Sequence, residues 1–501
     1  MALYTSQYLL THISQVGTLS VAVGSVAVLI LLSYVRTFVS CQLKGLQGPA
    51  WTKFSGLDMT ISVIQGRRVH RLLDLHRQYG PIVRVGPNEV SISDWKYYRP
   101  LYNNPAALKE VDFYSPFILG KGSLFQMTNP DQHTARRKLS NPTYSLRSIT
   151  ALNPLIRGLA DQLVMDLLHE SENSPTGTAN AFDHSALYSF KVICKLAFSK
   201  DFAADEAEDL QTLLDAMNGS IFAFLVDKIF PWLRSSGLAN KIPGPVGEGC
   251  RKHDHWAEKT REMVDGLLKS SGEDAKFFLT PVAHGVDEFF GRKLSEIELV
   301  AEAMGVMVGG SGTLSTTLTY LLYELSRPEN AHVQKRLREE VLEIPDTENI
   351  SALRNNAYVK AVITETLRLY PSIVSTLPRV LPEPLTLGEH VIPPGTVVGM
   401  QHFVHQRDPQ IFPEPDRWTP ERWFDRTEEM NGAFTAFSVG KRACIGLNLA
   451  WEELYLAINA FVRAGVEIRL GKEMKASDME IEDRFAAIPR GQKLMLEVVR
   501  L

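Results

Sequence analysis

The chain has 501 residues, 45% of them hydrophobic, which is enough for a large core and, by length alone, for more than one domain. Its 53 basic and 57 acidic side chains leave a formal charge of −4, which excludes a general nucleic-acid binder held by a basic surface. The four cysteines (Cys41, Cys194, Cys250, Cys444) show no CxxC or zinc-type spacing, which excludes a disulfide framework and points to a reducing compartment.

Residues 1–35 carry no charged side chain if His12 is neutral, and 16–35 is an apolar run rich in Val, Leu and Ala. About 20 such residues span a bilayer core. A cleaved signal is the competing reading, but the run is long for one and lacks a basic start. Arg36, Lys44 and Lys53 precede the first acid, Asp58. The expectation is an N-terminal region, 1–36, with an anchor helix at about 16–35 in membrane lipid, and a cytosolic domain over 37–501. Leu46-Gln-Gly-Pro49 reads as a stiff hinge.

A helical pattern over 70–79 stops at Gly80-Pro81, and 82–85 and 89–93 alternate around Gly-Pro-Asn as a hairpin. The irregular stretch 105–126 mixes Phe113, Tyr114, Phe117, Ile118 and Leu124 with glycines, which fits surface packing or a pocket wall. His133 and Arg137, four apart, share one helical face and can both donate to an anionic group. The run Arg136-Arg137-Lys138 also fits a solvated basic ridge, with Arg136 and Lys138 turned elsewhere to dock an acidic partner. Residues 150–275 read as amphipathic helices; the very apolar 221–233 fits either a pocket roof touching a membrane surface or buried core.

Ser295-Glu-Ile-Glu298 is a capping box that opens a long helix at about 296–327. Inside it lies Val308-Gly-Gly-Ser-Gly-Thr313. Glycine costs roughly 1 kcal/mol in a helix interior. Gly309 and Gly310 therefore need a reason: a bend where small molecules reach the backbone near Thr313, or a close helix–helix approach. Glu365 and Arg368 fall on one face of another helix, and Trp418-Thr-Pro-Glu-Arg-Trp423 supplies Arg422. The pair alone carries little information. Ile373-Val-Ser-Thr-Leu-Pro-Arg379 contributes Val374, Leu377 and Arg379, and the tail over 482–501 alternates like a closing hairpin with Phe485, Ala486 and Ile488.

The richest stretch is Phe437-Ser-Val-Gly-Lys-Arg-Ala-Cys-Ile-Gly446, followed by a helical run over 447–462. A thiolate at a helix N-terminus is favoured by the dipole and free N–H groups, so the Cys444 pKa is expected to fall. Gly440 and Gly446 permit tight turns or close approach to a flat ligand, and Phe437 stands where it covers the sulfur side. Arg442 offers a fork for a carboxylate. Taken alone, Cys444 equally fits a buried structural thiol.

The order Phe, two residues, Gly, one, Arg, one, Cys, one, Gly resembles the haem-binding signature of the cytochrome P450 family. Ser438 is the one local departure, where the family usually has glycine, and is expected to be tolerated. The resemblance extends over nearly everything after the anchor. It implies a mainly α fold with a small β region, and haem b between the long central helix and the Cys444 loop. It further implies Cys444 as the iron ligand, Arg442, Arg379, His133 and Arg137 on the haem propionates, and Phe437, Gly440 and Gly446 as the rest of the haem socket. Thr313 takes the place of the proton-delivering threonine, with Gly310 beside it. Glu365, Arg368 and Arg422 form a structural network, and Phe117, Gly309, Val374, Leu377 and Ile488 line the substrate pocket. The implied activity is O2- and NADPH-dependent monooxygenation of an apolar small molecule, with electrons from a separate flavoprotein reductase docked near Lys441 and the Arg136/Lys138 ridge, at the endoplasmic reticulum membrane. Motif style resembles fungal members that tailor terpenoid, polyketide or alkaloid metabolites. One departure matters: Gly312 replaces the usual acid before the threonine. It keeps a haem-thiolate isomerase or dehydratase open; a non-enzymatic membrane haem or lipid carrier is the other rival.

Overall fold

The computed structural model describes residues 23–115, 122–198, 207–270, 277–347 and 350–501. Phe117 lies outside them. The chain is mainly helical with short strands, as expected. Its contacts divide it into two compact units, one of Met1–Ser93 with Val380–Gly399 and the other of Asp94–Arg379 with Met400–Leu501.

In the first unit the helix Val23–Ser40 is long and apolar enough to cross a membrane and none of it is buried. The segment that follows is not a free hinge. Arg84, on the strand Ile82–Gly86, sends its guanidinium to the carbonyls of Leu43 (3.1 Å), Leu46 (2.6 Å) and Pro49 (3.1 Å) and to Thr52 Oγ1 (3.0 Å). Gly48 runs so close beneath that a Cβ would stand 2.4 Å from the Arg84 carbonyl oxygen. The helix and the segment after it belong to the same compact unit. The helix Arg68–Tyr79 leads into the expected hairpin, which pairs Ile82 with Ile92 and Gly86 with Glu89. Burial pushes His76 down to about 4; its ring bonds Ser91 Oγ (2.7 Å) and the Gly80 carbonyl (2.9 Å).

In the second unit the long helix runs unbroken over Glu296–Ser326, and its start is held by Ser295 N–H donating to the Glu298 carboxylate at 2.8 Å. Its apolar window is 56% buried, as befits a core helix. A Cβ on Gly310 would lie 2.7 Å from Ile193 of the helix Ala181–Phe198, and one on Gly305 would lie 2.4 Å from Ser123 Oγ. Both glycines permit close packing, Gly310 against Ile193 and Gly305 against Ser123. Gly309 and Gly312 have nothing within 4 Å of such a Cβ.

Three further expectations change. Arg136 is no surface residue: it is 1% exposed and ion-paired with Asp287 (2.9 Å) and Glu302, because the second helical face of Pro130–Ser140 packs inward. The tail does not close on itself. Ile481–Arg484 pairs with Ala486–Pro489, but the last strand, Met495–Arg500, pairs with Val466–Leu470 and with Ala179–Asn180. In the apolar 221–233 stretch Ala223 and Val226 are core, while Ile229, Phe230 and Trp232 are exposed, so it is not buried core throughout.

Candidate functional site

The cysteine loop is held by its own backbone. Thr435 O accepts from Ser438 N (2.7 Å), Phe437 O from Cys444 N (2.9 Å) and Gly440 O from Ala443 N (3.0 Å). Ser438 and Gly440 are left-handed, at φ 59° and 71°. Glycine is demanded at 440, where a Cβ would meet Asn103 Oδ1 at 2.3 Å. Ser438 is accommodated because its hydroxyl accepts from Tyr98 OH at 3.3 Å. Phe437 leans on Trp451 with ring centres 6.3 Å apart, and Gly446 caps the helix Leu447–Arg463.

Cys444 is exposed. Burial pushes its thiol up, against lowering by the Gly446 N–H and by Arg137. That direction is opposite to the fall expected from the helix N-terminus alone. A cationic metal centre supplies the missing stabilisation, since a coordinated thiol is deprotonated outright.

Around this loop gather four cations and one imidazole. Arg137 donates to the Ala443 carbonyl (2.7 Å) and Arg442 to that of Met127 (2.7 Å). Arg379 donates to Tyr114 OH (3.1 Å) and the Leu377 carbonyl (3.1 Å), and lies over the Tyr102 ring. Lys109 donates to the Phe125 carbonyl and sits 4.3 Å from the Tyr114 ring centre. Among the described residues none of the four has a carboxylate partner. They repel one another instead. Arg442 is pushed down to about 10 by burial and then by Arg379 and Arg137, and Lys109 is driven well below its usual value by burial, Arg442 and Arg379. His133 is pushed down to about 3 by burial and then by Arg442, Lys109, Arg137 and Arg379, so it stays neutral and can donate only as an imidazole N–H. Such a cluster calls for an anionic group of more than one charge. A dicarboxylate ligand with a metal for Cys444 meets both needs, and haem, with two propionates, is such a ligand. The sequence missed Lys109; a lone lysine inside an aromatic loop was the available signal.

The long helix presents Gly309 and Thr313 to the open side. Thr313 Oγ1 donates to the Gly309 carbonyl at 2.8 Å. Leu377 and Ile488 are half-buried, but Val374 is fully buried and offers no surface to a ligand. Phe485 reaches Phe113 and Phe125, with ring centres 6.3 and 5.7 Å apart.

Glu365, Arg368 and Arg422 meet in full. Glu365 accepts two bonds from Arg368 (2.8 and 2.9 Å), one from Arg422 (2.9 Å), one from Trp423 Nε1 (2.9 Å) and one from Thr419 N (2.9 Å). Arg368 spends its remaining N–H groups on the Gln406 (2.9 Å), Pro415 (2.7 Å) and Arg417 (3.2 Å) carbonyls.

A family model described as Cytochrome P450 matches residues 47–486. Cytochrome P450 monooxygenase tazI of Aspergillus terreus is 29% identical, covering 97% of this chain and 99% of its own. Cytochrome P450 monooxygenase oblB of Aspergillus clavatus is 30% identical over 80% of this chain and 81% of its own. The fold matches that of the cytochrome P450DA haem domain with a TM-score of 0.71 at 17% identity, covering 87% of this chain and 93% of the other. A retinoic acid-bound cyanobacterial CYP120A1 matches at 0.69 and 18%, covering 85% and 93%.

Proposed function

The chain belongs to the cytochrome P450 family and is a monooxygenase with thiolate-ligated haem b, and from that premise we propose that it oxidises an apolar intermediate of fungal secondary metabolism, a terpenoid, polyketide or alkaloid. The observation that carries the site assignment is the cluster of Arg442, Arg379, Lys109 and Arg137 with no carboxylate partner among the described residues, beside an exposed cysteine. Cys444 would hold the iron, and the four cations with the neutral His133 N–H would hold the propionates. When bound, the haem supplies reductive activation of O2 and transfer of one oxygen atom to the substrate.

The polypeptide's own part is orientation and proton control. Thr313 parks its hydroxyl proton on the Gly309 carbonyl at 2.8 Å, which leaves the lone pairs of Oγ1 free to accept from water. Passing a proton onward requires that bond to be exchanged. Gly312 contributes no carboxylate, and the space beside it, with nothing within 4 Å, admits water in its place. Leu377 and Ile488 give the substrate apolar surface.

Electrons would come from an NADPH-dependent flavoprotein reductase docking on the face of Lys441 and Lys138. Arg136, being buried, takes no part, and Lys138 already pairs with Glu288 at the surface. The helix Val23–Ser40 is consistent with a single-pass anchor, and we place it in the endoplasmic reticulum membrane with the rest of the chain cytosolic. The test is co-expression with a reductase and mass-spectrometric screening of pathway intermediates for an added oxygen. Turnover without NADPH and O2 would instead make the protein an isomerase or dehydratase.

A further inference from the structure

Three separate segments meet at one turn of the long helix through side-chain hydroxyls. Ser372 Oγ donates to the Thr313 carbonyl at 2.9 Å. Thr317 Oγ1 lies 3.0 Å from the same carbonyl and 2.7 Å from Ser372 Oγ, and with the Ser372 proton on the carbonyl the Thr317 hydroxyl donates to Ser372 Oγ. One turn face over, Thr316 Oγ1 donates to the Ala487 carbonyl at 2.9 Å. The circuit closes away from the helix: Ala487 N–H donates to the Ser372 carbonyl at 2.8 Å, Ser375 N–H to the Phe485 carbonyl at 3.3 Å, and Ile373 bridges Ala486.

Adjacent threonines are poor choices for a helix interior, where branching at Cβ restricts rotamers. A hydroxyl in a helix also does not acquire an outside partner by default. Thr319, two residues on, is fully buried and its Oγ1 has no partner among the described residues. Thr316 and Thr317 are thus distinguished by bonding out of their own helix, to the two segments that carry Leu377 and Ile488.

We propose that Thr316, Thr317 and Ser372 are positioning residues for substrate selection. Their hydroxyls fix the segment 372–377 and the hairpin 481–489 in one register against the Thr313 turn. The apolar side chains on those segments then stand at a set height over the place where oxygen is transferred, and that height decides which substrate atom is presented. A small misplacement here is expensive, because reactivity falls steeply with the distance of the reacting atoms. This rests on the haem-thiolate reading of the Cys444 loop.

The test uses the full-length haem protein and two spectroscopic probes that ligate iron. Imidazole carries nothing beyond its ring, whereas 4-phenylimidazole adds a phenyl group that would extend from the ligating ring towards the clamped segments. In Thr316→Val and Ser372→Ala the Kd of 4-phenylimidazole should rise about fivefold, the worth of one lost hydrogen bond, while that of imidazole stays within about twofold. Thr316→Ser, which keeps the hydroxyl, should restore the wild-type ratio, and Thr319→Val should leave both constants alone. Ser372→Ala, a single-atom deletion outside any helix, decides the matter if Thr316→Val does not fold. Equal changes for both probes, an unchanged ratio in Ser372→Ala, or the same change in Thr319→Val would each overturn the clamp. A wild-type protein that gives no imidazole shift overturns the haem reading first and the clamp with it.

Discussion

Two buried charge clusters in the second unit solve opposite problems. Around Glu365 every charge has its answer inside the chain: two arginines, an indole N–H and a backbone N–H on the carboxylate, and carbonyls on the rest of Arg368. Around the Cys444 loop, Arg442, Arg379, Lys109 and Arg137 have, among the described residues, carbonyls, a phenol and aromatic faces but no carboxylate. A closed cluster is architecture. An open one of a single sign is a binding site whose other half arrives with the ligand.

The largest effect that would break this contrast is in the closed cluster. Glu365→Gln leaves two buried guanidinium groups short of their counter-charge and should cost about 3–5 kcal/mol of stability. Denaturant unfolding of the holoprotein reads it, and a loss under about 1 kcal/mol would remove the network from the core. The open cluster should behave in the reverse sense. Arg442→Gln or Arg379→Gln relieves repulsion, so the haem-free chain should be no less stable, while haem retention weakens about tenfold per arginine, the scale of one charge-assisted bond. Haem loss to an acceptor protein measures the second quantity. A destabilised apoprotein with unchanged haem retention would place these arginines in the architecture too.

A smaller effect is read by pH. Burial and four cations hold His133 at about 3. The folded haem-free chain thus binds this proton less readily than the unfolded chain, whose histidine titrates near 6.5. The stability it contributes is full above about 6.5 and is lost as pH falls from there towards 3. His133→Gln should flatten that acid limb of the haem-free unfolding midpoint, whereas an unaltered limb would mean that the cations do not converge on His133. Smallest of all is the surface: Lys441→Glu should slow reduction by the reductase a few-fold, less so at high salt. Arg136→Glu should instead prevent folding, and a soluble variant with slowed reduction would return Arg136 to the docking face.

The contrast between Arg136 and Arg137 also marks where the sequence stops being readable. The residues are adjacent, so they differ by about 100° of helical phase. Spacing put Arg137 with His133; only the packing of Asp287 and Glu302 shows that Arg136 faces a core and not a partner. Likewise the glycine run was conspicuous, but Ile193 alone tells that Gly310 is a packing residue while Gly309 is open. Local signals were legible in detail: the capping box at Ser295, the hairpin over 82–92 and the turn-forming order of the cysteine loop. Long-range ones were not. The last strand pairs with Val466–Leu470 because register and hydrogen bonding favour that partner, which period-two alternation cannot identify. Lys109 and the ties of Thr316, Thr317 and Ser372 depend on segments far apart in the chain.

The bond from Cys444 to iron is the claim on which the site depends, and the reduced, carbon monoxide-treated protein tests it most directly. Wild-type protein should show the red-displaced Soret band of thiolate-ligated haem, and Cys444→Ser should lose that displacement even where it retains haem. Wild-type protein that holds haem without the displaced band, or a Cys444→Ser variant that keeps it, would contradict the account.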